Sequence, residues 1–488
     1  MAGKHIARLP AALGAMALGV VLTLMLASCG GGGSQSMSIS QGTGFFSLSA
    51  AQVAMVTQCT QRQPQNPALP TSSAANVAPL VVDAGPCAYY PSTNSVGPIS
   101  AAQDVIYTTV TICPSGIAPP SSSCQTIDHV QVDTGSVGLR ILASAMNSTV
   151  LQTLPAVSSG GLPVNDCYAY ADGWTWGVLR TADVWMGGYN ATTGVSQGVR
   201  APGISVDIIG DPASGPISAT AQSQCSGGSP SENSVATFGA NGILGVMPAQ
   251  YEYGSYYTCT ASGGCNSVNG SVLPAQEANN PVYSLASAYD NGIVVALPPL
   301  TAGPAVNAAG TLTFGVTSTG GVNNATKFFA ADVSSGLPLV QSTILSESPT
   351  PIQWAPSGSA VSAIFDTGTS FLSIYGTGMP FTQDSYEWLV PSSPVTVSLS
   401  IEGALPNSGG NPSGSPLVQP YPETISVTSE QTLSTQYPYP NYWAFDDLAA
   451  NSTTAQDVWG APFFFGKTMY VVYQGFSFSQ GHPPFYAY

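Results

Sequence analysis

The chain has 488 residues, enough for two or three domains around a large core. Hydrophobic residues make up 44% and charged residues only 7%, a composition that excludes an intrinsically disordered chain. With eight Lys and Arg and a formal net charge of −16, the surface repels a phosphate backbone, so nucleic acid is excluded as a partner.

The same scarcity of cations suits acid conditions. When the carboxylates are neutralised, few positive charges remain to repel one another. The 53 Gly and 40 Pro point to short strands and turns rather than long helices.

The first 28 residues read as an export signal: Lys4 and Arg8 precede an apolar stretch from Leu9 to Leu26. That stretch ends in Leu26-Ala27-Ser28-Cys29, which resembles the lipobox of bacterial lipoproteins. The resemblance implies that Cys29 is lipid-modified and opens the mature chain. Gly30 after it implies, by analogy, outer-membrane sorting in the envelope of a Gram-negative bacterium. No later apolar run is long enough to span a bilayer, so membrane contact is expected through the lipid alone. Residues 29–100 are rich in Gly, Gln, Ser, Pro and Ala and begin as a flexible tether, with Cys59 and Cys87 pinning the later part to the body.

Apart from Cys29, the cysteines are Cys59, Cys87, Cys113, Cys124, Cys167, Cys225, Cys259 and Cys265, an even set that argues for disulfides in an exported chain. Short spacings make Cys113–Cys124 and Cys259–Cys265 loop staples, and elimination then leaves Cys59–Cys87 and Cys167–Cys225. Beyond the signal, only His129 and His482 accompany them, without any Cys-x-x-Cys, so neither a metal site nor a cofactor is expected.

From Val105–Ile112 onward, strand-like runs alternate with Gly, Pro and Ser turns. His129–Val132 leads into Asp133-Thr134-Gly135-Ser136. Tyr168–Leu179, aromatic on both sides of Gly173, reads as a hairpin able to lie over a cleft. Asn241–Val246 packs Ile243 and Leu244 against Gly245. Pro281–Asp290 carries the start and stop signals of a short helix. Val361–Phe365 then leads into a second copy of the phrase, Asp366-Thr367-Gly368-Thr369, and Phe464-Phe465-Gly466 repeats the pattern of two bulky residues and a glycine.

One Asp-Thr-Gly would mean little in a chain so rich in Thr and Gly. Two in the same setting suggest an internal duplication that brings two carboxylates together. Such a pair sharing a proton performs acid–base chemistry. His129 beside Asp128 invites a Ser–His–Asp reading, but no Gly-x-Ser-x-Gly elbow accompanies it, and His129 is expected to be an ordinary strand residue.

Over residues 100–488 the ordered motifs resemble the pepsin-like aspartic proteases, and the chain is also similar to a group of proteobacterial lipoproteins with Cys-rich, Asp-Thr-Gly-containing segments. The resemblance implies a mostly β, bilobal pepsin-like fold, two β-barrel-like lobes with a cleft between them. Asp133 and Asp366 would be catalytic and hold a water between them. Ser136 and Thr369 would bond their outer oxygens, Thr134 and Thr367 would cross-link the loops, and Gly135 and Gly368 would admit close backbone approach. Tyr170 would be the flap tyrosine and Gly173 the flap turn.

Ile243-Leu244-Gly245 and Phe464-Phe465-Gly466 would thread beneath the two loops. Thr311–Phe314 would lead from one lobe to the other. Arg140 stands where the family has a Trp, and would donate to the Tyr170 oxygen while its charge lowers a carboxylate pKa. Ala171 and Lys467 also depart from the family pattern. Residues 30–100 contain Arg62 as their only cation, unlike a basic inhibitory propeptide.

The expected division is 1–28 signal, 29–100 lipidated tether and extension, 101–318 first lobe, and 319–488 second lobe. The expected activity is that of a lipid-anchored, monomeric aspartic endopeptidase acting on polypeptides. The alternative is a non-catalytic shell of the same fold that binds peptide or carbohydrate in its cleft. A glycosidase would need its two acids about 5–10 Å apart, whereas twin loops imply direct contact.

Overall fold

Short β-rich segments separated by turn residues leave no surface for a helical core, and the chain buries its apolar side chains between sheets. The structure, a computed structural model, describes residues 46–488 apart from 100–101, 253, 270–271, 273–275, 318–320, 333–335, 339, 349–359, 376–387, 404–417, 439–440, 453 and 474–483. The signal segment, Cys29 and His482 lie outside the described residues. No described helix is long and apolar enough to cross a membrane.

The architecture is mostly β. Among the described residues, one sheet has 16 strands and a second has seven. Both are built around the same three-strand plan. In the first, Gly242–Val246 runs parallel to Gln125–Asp133 and antiparallel to Val137–Leu142. In the second, Gln456–Trp459 runs parallel to Val361–Phe365 and antiparallel to Leu372–Tyr375. A further strand then joins each plan in parallel: Val199–Ile209 beside Val137–Leu142, and Ala449–Ser452 beside Leu372–Tyr375. The duplication suggested by two short phrases therefore extends to the wiring of both sheets.

The strand threaded beneath the second loop corrects one expectation. It is Gln456–Trp459, followed by Gly460, and not Phe464-Phe465-Gly466. Phe463 and Phe464 lie instead on a helical turn, Ala461–Phe464, buried against Phe365 and Trp459. A Cβ on Gly460 would sit 2.1 Å from the Phe371 carbonyl oxygen, so only glycine fits.

The large sheet does not stop at the first lobe. Ala308–Phe314 pairs with Val77–Val82 on one side and Gly292–Ala296 on the other. The latter strand then pairs with Thr468–Val472, drawn from near the C-terminus. A continuous apolar core includes Val132 and Leu244 from one half and Phe365 and Trp459 from the other. Each such fully buried side chain contributes about 1.5–3 kcal/mol relative to exposure. Of the expected helix at Pro281–Asp290, only a 3-10 turn over Pro281–Ser284 forms.

The extension before the first loop is more ordered than a tether. A helix spans Ala50–Arg62, started by a capping box between Ser49 and Gln52. Cys59–Cys87 joins it to the hairpin of Cys87–Tyr90 and Ser95–Pro98. The chain then crosses to the second half. The Asp104 backbone N–H donates to the Trp443 carbonyl at 2.9 Å, and the Phe445 N–H donates to Asp104 Oδ1 at 2.7 Å. Burial pushes the Asp104 carboxyl well above the usual range, with Asp447 and Asp446 adding to the effect. All four expected disulfides are present, including Cys113–Cys124, Cys167–Cys225 and Cys259–Cys265.

Candidate active site

Both strands that carry an aspartate end in a tight turn, and the turn's own N–H groups fold back onto the carboxylate. Gly135 N–H donates to Asp133 Oδ1 at 2.7 Å, and the Ser136 hydroxyl donates to Oδ2. The second loop repeats this: Gly368 N–H donates to Asp366 Oδ1 at 2.8 Å and the Thr369 hydroxyl to Oδ2 at 2.7 Å. One hydroxyl and one amide thus fix each carboxylate's rotamer.

The loops are tied to each other reciprocally. Thr134 N–H donates to Thr367 Oγ1 and Thr367 N–H donates to Thr134 Oγ1, each at 3.0 Å. The two hydroxyls then donate across the interface, Thr134 to the Phe365 carbonyl at 2.9 Å and Thr367 to the Val132 carbonyl at 2.8 Å. All four groups are buried and satisfied, the condition under which a polar network rigidifies a core.

Asp133 and Asp366 lie side by side where the two loops are tied together, close enough for the Asp133 charge to act on Asp366. A Cβ on Gly135 would lie 2.6 Å from Asp366 Oδ1, which shows how closely the first loop's backbone approaches the opposite carboxylate. Burial drives the Asp366 carboxyl well above its ordinary value, and the neighbouring Asp133 carboxyl pushes it further. The Thr369 and Gly368 hydrogen bonds oppose the rise. The arrangement therefore favours a retained proton on Asp366.

Three supports were not foreseen. The Gln131 amide, two residues before Asp133, donates to the Gly368 carbonyl at 2.9 Å and adds another tie between the loops. Its place between Val130 and Val132, directly ahead of Asp133, was the available signal. Tyr486 reaches the Thr134 carbonyl at 3.4 Å from near the C-terminus. Tyr473 donates to the Val246 carbonyl at 2.9 Å, beneath the first loop.

The expected flap is a hairpin of Leu162–Ala169 and Trp174–Met186, closed by a turn in which Tyr170 N–H donates to the Gly173 carbonyl at 2.8 Å. Its tip is clamped. Trp174 N–H donates to the Pro230 carbonyl at 3.1 Å, and Glu232 N–H donates to the Trp174 carbonyl at 2.9 Å. Tyr170 is fully buried, edge-on to Phe238 with ring centroids 6.0 Å apart, in an apolar cluster with Ile99, Ala102, Val105 and Trp443.

Arg140 is fully buried in a nest of acids. Its Nη2 lies 3.3 Å from Asp166 Oδ2 and bonds Glu252, and its Nε lies 3.9 Å from Asp207. Burial pushes Asp166 up to about 6 against the pull of Arg140, and raises Asp207 well above the carboxylate range. Its charge is thus met chiefly by Asp166 and Glu252, with Asp207 favouring its neutral form beside them, and it is not among the main influences on Asp366. The guanidinium faces both hairpin tyrosines, stacking 3.7 Å from the Tyr168 ring centroid. His129 is no ordinary strand residue: it is buried at φ +48° between Asp83, 3.2 Å away, and Asp128, 3.5 Å away. Burial alone would lower its pKa, but the two carboxylates raise it to about 10.

Paired loops on a duplicated β plan define a two-lobed β protein of pepsin-like architecture. The chain belongs to the family DUF3443, described as a protein of unknown function, whose model matches residues 72–488. Among solved structures it is similar to the aspartic proteinase from Irpex lacteus, at 16% identity and a TM-score of 0.42, over 84% of this chain and 96% of that one. No curated protein matches the chain.

Proposed function

We propose that this chain is an aspartic endopeptidase in which Asp133 and Asp366 activate a water for attack on a peptide carbonyl. The supporting observation is the buried pair of neighbouring carboxylates on two cross-linked loops. Two carboxylates in contact cannot both ionise readily, so one serves as base and the other as acid. The ionised member takes a proton from the water, the protonated member gives one to the carbonyl oxygen, and no covalent enzyme intermediate forms.

Ser136, Thr369, Gly135 and Gly368 hold the carboxylates in plane; Thr134 and Thr367 hold the loops at a fixed separation. In this reading the substrate is a polypeptide and no cofactor takes part. The mature chain begins at a lipidated Cys29, is anchored in the outer membrane of a Gram-negative envelope, and acts as a monomer with lobes at 101–318 and 319–488.

The test is cleavage of an unfolded protein between pH 3 and 7 by the chain beginning after Cys29, alongside Asp366→Asn. Cleavage by the first and none by the second supports the proposal. A folded, disulfide-bonded protein that cleaves nothing supports instead a binding shell for peptide or carbohydrate.

A further inference from the structure

Of the two tyrosines on the hairpin, one is spent on the core. Tyr170 has no exposed surface, and its ring packs against Phe238. Its phenol lies within electrostatic reach of the Arg140 guanidinium, and burial keeps that phenol neutral. Tyr168, two residues earlier, is only part-buried, and its ring lies 4.8 Å from that of Tyr170. Its phenol lies within electrostatic reach of both Asp133 and Asp366.

Arg140 explains how Tyr168 is held. The guanidinium cannot lose its proton, and three buried carboxylates fix its edge while Tyr168 covers its face. It also donates to the Val137 carbonyl at 2.7 Å, on the residue that follows Ser136. One side chain therefore connects the outgoing end of the first Asp-Thr-Gly loop to the hairpin. A lysine could not replace it, since a point charge offers no planar surface to stack.

We propose that Tyr168, held over the Arg140 guanidinium, is the hairpin side chain that contacts a peptide bound at the Asp133–Asp366 pair, while Tyr170 anchors the hairpin in the core. The proposal rests on the peptidase reading and changes which residue of the hairpin determines substrate contact. Arg140 is a positioning residue: it acts on substrate only through Tyr168.

The experiment has a kinetic arm and a spectroscopic arm. Tyr168→Ala should lower kcat/KM about 30-fold, mainly through KM, and Tyr168→Phe, which keeps the stack, should restore it to within about threefold. Tyr170→Phe should stay within about threefold of wild type. Arg140→Lys should raise KM and leave kcat and the pH profile in place. A larger loss from Tyr170→Phe than from Tyr168→Ala overturns the proposal.

In protein carrying 13C at the tyrosine ζ position, the Tyr168 resonance should shift as Asp366 titrates, and that shift should be lost in the double variant Asp133→Asn/Asp366→Asn. It should move again when a statine-type peptide is added. This arm needs no turnover, so an inactive wild type would sink the peptidase reading and leave the position of Tyr168 to be decided here. A Tyr168 resonance indifferent to both titration and peptide overturns the proposal whether or not the protein cleaves anything.

Discussion

The two Asp-Thr-Gly loops are nearly identical in their hydrogen bonds and quite different in what surrounds them. The first sits beside charge. Arg140 with Asp166, Asp207 and Glu252 lies behind it, and His129 between Asp83 and Asp128 lies on its incoming strand. All four disulfides also belong to the first half or its extension.

The second sits in aromatic packing. Phe365, on its incoming strand, touches Phe329, Phe463, Tyr486 and Tyr488, and no cysteine follows Cys265. The same pair of carboxylates is thus held from one side by buried charged clusters and covalent staples, and from the other by apolar burial. Loop geometry, not the chemistry of the scaffold, is what the duplication has kept alike.

The largest effect should ignore this asymmetry. Asp133→Asn and Asp366→Asn are each expected to reduce peptide cleavage by about 10³-fold or more, and the double variant should be no worse than either single one. Retained activity in one single variant would show that the carboxylates do not work as a unit.

Reduction should expose the asymmetry. Losing Cys167–Cys225, which closes a separation of 58 residues, is expected to cost about 2–5 kcal/mol. Thermal unfolding with and without reductant, followed through Trp174 and Trp176 in one half and Trp388 and Trp459 in the other, should show the first signal moving and the second lagging. Transitions that fall together would show that the shared core unfolds as one.

Thr134→Val and Thr367→Val should each cost about 1–3 kcal/mol in chemical denaturation, and by similar amounts, because each hydroxyl serves the opposite loop. Unequal costs would mean that one scaffold relaxes around the lost bond. A smaller effect concerns pH. The pKa of His129 rises from 6.5 to about 10 on folding, so its stabilisation is complete below pH 6.5 and is lost as pH rises through 10. The melting temperature should decline over that window, and less so in His129→Asn.

The paired loops, the β architecture and all four disulfides could be read from the sequence because each depends on local phrases and spacing. Other features depend on what lies across the fold. Phe464-Phe465-Gly466 matches the apolar-apolar-glycine pattern better by eye than Val458-Trp459-Gly460. What decides between them is pairing with Val361–Phe365, which no local pattern reports.

The partners of Arg140 come from three separate segments, so the sequence showed a lone cation where the structure has a neutralised cluster. The helix Ala50–Arg62 lacks an apolar stripe, yet its Ser49–Gln52 capping box was visible and would have identified it. Tyr170 and Tyr168 lie two residues apart, and only the packing of Phe238 and Trp443 separates buried anchor from part-buried neighbour.

The segment ahead of the first loop bears on how the protein matures. Val77–Val82 is an interior strand, paired along its length with Ala308–Phe314 and meeting Tyr107 on its other side. Asp83 follows directly and holds His129. Asp104 then ties the chain to the opposite half. A protease clipping the exposed turn at Pro91–Asn94 would leave both fragments in place, held by the sheet on one side of the nick and by these bonds on the other. The stretch from Val77 to Asp104 is built into the fold rather than laid over it, so processing that sheds the segment ahead of the first loop must end before that strand begins.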